Sequence, residues 1–216
     1  MDFEWLSSLS LYTRVSIWFT LVPIALCIPV LARMPAARLM LMLFVTGLFT
    51  ELSSQKAGAG STYSYYVFLF YSVVECTVFL SIAKFQEGCW KSRSLVVSLV
   101  TSVILAAFSI VILYNSKWAV AVFNMVYQII VAVMYGRNLL RRIESGLDAS
   151  FYAMFGLQLG IFFYCFTTFF LMGIIGVSAM YRLWDPYHNT INIVTYVVYA
   201  CSFWLAFRDT RSRITV

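Results

Sequence analysis

Apolar stretches long enough to cross a bilayer follow one another along most of the chain, and this constrains its fold more than any motif. A hydrocarbon core about 30 Å thick is crossed by about 20 helical residues rising about 1.5 Å each. Divided by that rule, the chain predicts spans at residues 11–32, 37–54, 63–84, 94–114, 119–140, 151–178 and 187–207. Inside hydrocarbon each backbone N–H and C=O needs a partner, which a helix supplies from within itself. The expected fold class is all-α: a polytopic membrane protein whose residues 1–216 form a single seven-transmembrane-helix bundle. Composition agrees, with 62% hydrophobic and 11% charged residues, where soluble domains carry about 25% charged.

The connections are short and rich in turn-forming residues, as in "SSQKAGAGST", "RRIESGLD" and "YRLWDPYHN". None offers room for a folded domain, and from the closing "RDTRSRITV" no attached kinase or cyclase is expected. The opening "MDFEWLSSLS" places Asp2 and Glu4 where a signal peptide would need basic residues, so no processing is expected.

Basic residues orient the bundle. Arg33, Arg38, Lys84, Lys91, Arg93, Arg137, Arg141, Arg142, Arg208, Arg211 and Arg213 fall on one side; Arg14, Lys56, Lys117 and Arg182 fall on the other. The excess marks the cytoplasmic face, placing the N-terminus outside and the C-terminus in the cytoplasm, with a bacterial inner membrane as the expected location. The net charge of +6 is then a topology signal that meets lipid headgroups and can meet a cytoplasmic protein partner; no nucleic acid is implied. Cys27, Cys76, Cys165 and Cys201 lie within spans and Cys89 in a cytoplasmic loop, without a CxxC or an outer pair, so no disulfide is expected.

Polar residues within spans carry the functional information, because an ionisable group in the membrane costs several kcal/mol unless it faces the bundle interior or water. His188, Asn192, Tyr196 and Tyr199 recur at helical spacing in span 7 with Thr195 beside them; Asn124 and Gln128 share a face of span 5; Tyr71, Ser72 and Glu75 lie along span 3. Counted from the outer ends, His188 is at the rim, Asn124 and Asn192 are about 8 Å down, Gln128 and Tyr196 about 14 Å, and Glu75 about 18 Å, near the midplane. Glu51 closes span 2 on the outer side, while Gln158 lies in the cytoplasmic half of span 6. The pattern predicts an outward-facing polar cleft with Glu75 at its floor and a ligand-binding set of Glu51, Tyr71, Glu75, Asn124, Gln128, His188, Asn192 and Tyr196. The competing reading is that these groups bond helix to helix, worth about 0.6–2 kcal/mol each.

Other features read as packing. "GLQLG" at Gly156–Gly160 and "GIIG" at Gly173–Gly176 permit close backbone approach, within the bundle or in a homodimer, the former leading. Pro23 and Pro29 should kink span 1. Tryptophans near span ends form an aromatic belt.

Several chemistries are excluded. Span 7 has no lysine for a retinal Schiff base, one histidine is too few for a ceramidase-like zinc hydrolase, and neither a phosphate loop nor a dinucleotide fingerprint occurs. No catalytic residues and no cofactor are assigned, and a metal on Glu51, Glu75 and His188 is disfavoured because three separate helices would supply it. An outside N-terminus with seven spans is shared with G-protein-coupled receptors and small sugar transporters, but the DRY, NPxxY and Pro-Gln motifs are missing. Through "YSVVECTVFL" and "YHNTINIVTYVVYA" the chain resembles uncharacterised bacterial seven-helix membrane proteins, some of which look like sensor modules. The expected function is binding or sensing of a small ligand, a lipid-derived one included, with signalling to a cytoplasmic partner. The alternative is a small-solute or proton-coupled transporter using Glu75, and an intramembrane enzyme ranks third.

Overall fold

Two prolines decide how the first helix ends. Pro23 lies inside α1, Leu11–Cys27, but at Pro29 the α-helix has already given way to a 3-10 turn, Ile28–Val30. A proline nitrogen has no hydrogen for the carbonyl four residues back, so the α-helical ladder stops there. The chain then turns sharply: Met34 N–H bonds Val30 O at 2.9 Å and Ala37 N–H bonds Met34 O at 2.8 Å. The Arg38 Nε–H donates to Leu31 O at 2.8 Å, and the Cys27 thiol to Ala37 O at 3.0 Å, tying the corner across its two sides.

The computed structural model describes residues 11–57, 62–86, 92–112, 118–145, 151–177 and 181–212. Beyond α1 these form α2 (Pro35–Ala57), α3 (Thr62–Gln86), α4 (Ser92–Ile112), α5 (Trp118–Ser145), α6 (Phe151–Val177) and α7 (Tyr181–Ser212). The all-α class is as expected. Five helices hold segments long and apolar enough to cross a membrane: Pro35–Ser54, Thr62–Lys84, Val120–Glu144, Tyr152–Gly173 and Pro186–Asp209. They make this an integral membrane protein. The apolar parts of α1 and α4, Arg14–Val30 and Leu95–Val111, are shorter. Cys89 and Ala59, in the expected loops, lie outside the described residues.

Several boundaries differ from the sequence reading: the first α-helix ends at Cys27 rather than 32, α5 continues past 140 to Ser145, into the expected connection, and α7 past 207 to Ser212. Residues 181–186, expected to be part of a connection, are the opening turns of α7, with Pro186 inside the helix. A proline this near a helix start removes only the bond from its own nitrogen to the carbonyl four residues back; separately, the Thr190 hydroxyl donates to Pro186 O at 2.7 Å.

Consecutive helices pack on one another, α1 also packs on α7, and α3 reaches across to α5. The helix at the centre is α3: every residue from Glu75 to Ala83 is buried. Its neighbour α4 buries Ser98, Ser102, Ala106 and Ser109 while Ile104, Phe108 and Val111 stay exposed. Small residues on the packed face allow a close approach. Their hydroxyls are satisfied within the helix, Ser102 on Ser98 O at 2.8 Å and Ser109 on Leu105 O at 3.0 Å. Between α6 and α7 glycine does the same. A Cβ at Gly156 would stand 2.5 Å from Ser202 Oγ, and one at Gly160 would stand 2.7 Å from the Tyr199 ring. The GxxxG is therefore used within the bundle. Gly173 meets nothing within 4 Å.

Candidate functional site

Glu75, 2% exposed on the central helix, is surrounded by tyrosines. Tyr71, one turn earlier on α3, donates its hydroxyl to Oε1 at 2.9 Å. From α5, Tyr127 donates to Oε2, and Tyr164 of α6 adjoins the carboxyl. Both carboxyl oxygens are thus engaged, and three helices meet at one group. Hydrogen bonds to a charged group contribute about 1.5–3 kcal/mol each, so together they offset much of the cost of holding a carboxylate away from water. Among the described residues no Lys, Arg or His pairs with it.

Aromatic packing fixes these tyrosines. Phe123 stands 5.2 Å from the Tyr127 ring and Phe79 stands 6.2 Å from that of Tyr164. Tyr135, two turns below Tyr127, donates to Phe79 O at 2.8 Å and fastens α5 to α3 a second time. The Tyr71 ring lies over Gly47 of α2, where a Cβ would come within 3.2 Å of it. Tyr196 and Tyr199 of α7 interact electrostatically with Glu75 and pack on Phe44 of α2, with centroids 6.1 and 5.7 Å away. Tyr196 also adjoins the Thr20 side chain of α1 and Glu51.

Of the eight residues expected in the site, Glu75 and Tyr71 are at its centre, and Tyr196 and Glu51 adjoin it. Gln128 is buried next to Tyr127, but it belongs to the row Asn124, Gln128, Ala132 and Gly136, whose Gly136 end meets Phe162 of α6. The row that contacts α3 is Tyr127, Val131 and Tyr135. Gln128 Oε1 and Asn124 Oδ1 have no partner among the described residues. Asn192 and His188 are half-buried one and two turns before Tyr196, which puts His188 about 12 Å from it along the helix. Among the described residues no three His, Cys, Asp or Glu gather as a metal site, so Glu51, Glu75 and His188 do not converge.

Sequence reasoning missed Tyr127 and Tyr164, which complete the carboxyl's shell. The available signal was that a tyrosine deep in hydrocarbon needs a partner for its hydroxyl, and Glu75 is the carboxyl at their depth. Elsewhere, an open apolar groove of about 310 Å³ lies between α6 and α7, lined by Phe166, Thr167, Phe170, Leu171, Tyr187 and Ile191. The Thr167 hydroxyl there is occupied by Phe163 O at 2.6 Å. Comparison with known protein families, curated proteins and solved structures finds no match to this chain.

Proposed function

We propose that this seven-helix bundle is a receptor of the bacterial inner membrane that binds a small molecule at the Glu75 cluster and signals through its cytoplasmic ends. In this reading the N-terminus is outside, the C-terminus and the basic loops are cytoplasmic, and ligand enters from the outer half. The supporting observation is that one buried carboxyl is held by hydroxyls from α3 and α5, with α6 and α7 adjoining. A ligand that displaces or recruits any of these hydroxyls alters the contacts of several helices together. Their far ends carry Arg137, Arg141 and Arg208, exposed to a partner or to headgroups.

Transport is the second reading, favoured by Gln158. It is fully buried in the N-terminal half of α6, and neither of its amide atoms has a partner among the described residues. A polar side chain left so could serve a path below Glu75. Glu75→Gln in purified, reconstituted protein separates the readings. A receptor loses ligand-dependent thermal stabilisation and shows no solute flux as wild type, whereas a transporter shows wild-type flux in proteoliposomes that the variant lacks. Unchanged ligand response in the variant would overturn the proposed site.

A further inference from the structure

Close approach of α6 and α7 is concentrated toward one end of their seam. Gly156 meets Ser202 and Gly160 meets Tyr199, and a Cβ on either glycine would fall within 2.7 Å of its neighbour. About two to three turns further along α6 the small residues give way to Phe166, Phe170 and Leu171, opposite Ile191 and Tyr187 of α7. Side chains of this size hold the backbones apart, and the open groove of about 310 Å³ lies where they do.

All six lining residues belong to membrane-crossing segments: Phe166, Thr167, Phe170 and Leu171 to Tyr152–Gly173, and Tyr187 and Ile191 to Pro186–Asp209. Hydrocarbon is therefore the phase that reaches the groove. Tyr187, exposed and one residue inside its segment, marks the headgroup level, where tyrosine rings concentrate. From there the walls run about 6–8 Å inward, to Ile191 and Phe166. The Thr167 hydroxyl is held by Phe163 O, so below the headgroups the groove makes no demand for a hydrogen bond.

Packing decides what fills it. Lipid tails are as apolar as these side chains, so dispersion contacts rather than a hydrophobic gain separate one occupant from another. A second helix is poorly suited, because helices in this bundle approach through small residues such as Gly156, Gly160, Ser98 and Ser102, whereas the groove presents exposed rings. The ring wall is already built: Phe166 stacks on Phe162 with centroids 5.6 Å apart and meets Phe170 edge-on at 4.8 Å. A single hydrocarbon chain is thin and flexible enough to lie against that wall with Tyr187 and Ile191 on its other side. There it touches protein on two sides, where a convex helix face offers one.

We propose that the α6–α7 groove is a binding site for one acyl chain of a membrane phospholipid, selected by its hydrocarbon rather than its headgroup. The site is separate from the Glu75 cluster and does not rest on the receptor reading. Native mass spectrometry of the full chain tests it, after delipidation in detergent and titration with phosphatidylglycerol, phosphatidylethanolamine and phosphatidylcholine carrying the same two chains. One lipid should be retained per protein, with similar affinity for all three headgroups. Ile191→Trp and Leu171→Trp fill the groove from opposite walls, and each should weaken retention about 3- to 10-fold while circular dichroism stays as in wild type. Val103→Trp, on the exposed face of α4, adds equal bulk elsewhere on the lipid-facing surface and should leave retention unchanged. Retention of phosphatidylglycerol alone would assign the lipid to the basic residues and overturn the proposal. No retained lipid, or undiminished retention in both groove variants, would leave the groove to bulk lipid and overturn it equally. Dimers that disappear in Ile191→Trp would give the groove to a second copy of the chain, and the acyl-chain site would fall.

Discussion

At the scale of single residues, the contacts of Glu75 differ in kind. Tyr71 reaches it along one helix, so that bond holds nothing together that the helix does not already hold. Tyr127 reaches it from α5 and ties two helices. Tyr127→Phe should therefore cost more stability than Tyr71→Phe, about 1–3 kcal/mol against about 1 kcal/mol or less, with equilibrium denaturation in detergent as the measurement. Glu75→Gln retains the shape and both kinds of hydrogen-bonding atom while removing ionisation. Its Tm should stay within a few degrees of wild type while ligand response disappears. A variant that fails to fold would mark Glu75 as a structural anchor.

At the scale of elements, the α6–α7 and α3–α4 interfaces are set by small side chains. Gly160→Leu would drive a side chain into the Tyr199 ring, already 2.7 Å from where the first carbon would stand. A cost of about 2–4 kcal/mol is expected, since overpacking forces backbones apart. Gly173 on the same helix has open space, so Gly173→Ala should be neutral or stabilising by up to about 1 kcal/mol through helix propensity. Thermal scans of the two variants distinguish packing from general loss of glycine: similar destabilisation in both would contradict the close approach. The spacing of "GLQLG" was legible from the sequence, but its partners were not, because Ser202 and Tyr199 lie on a different helix more than a full span away along the chain.

At the scale of the whole molecule, the uneven distribution of basic residues predicts orientation. A cysteine introduced at Tyr63, exposed at the start of α3, should react with an impermeant maleimide on intact cells. One introduced at Arg141, exposed near the end of α5, should react only after permeabilisation. The reverse pattern would invert the bundle and open the Glu75 site toward the cytoplasm.

The sequence by itself determined what depends on local composition: helices that must pair their own backbone, their approximate limits, and a carboxyl at mid-depth on the third. It also placed Asn124 with Gln128, and Asn192 with Tyr196, because residues four apart share a face on any helix. Tertiary structure decided which faces meet. Helical periodicity leaves each helix free to rotate about its axis and to choose its neighbours, and only packing against α3 turns Tyr127 rather than Gln128 toward Glu75. The same packing brings Tyr164 to the carboxyl. Side chains distant in the chain gather there because the glycine and serine faces bring particular helices close enough for tyrosine hydroxyls to reach one buried group.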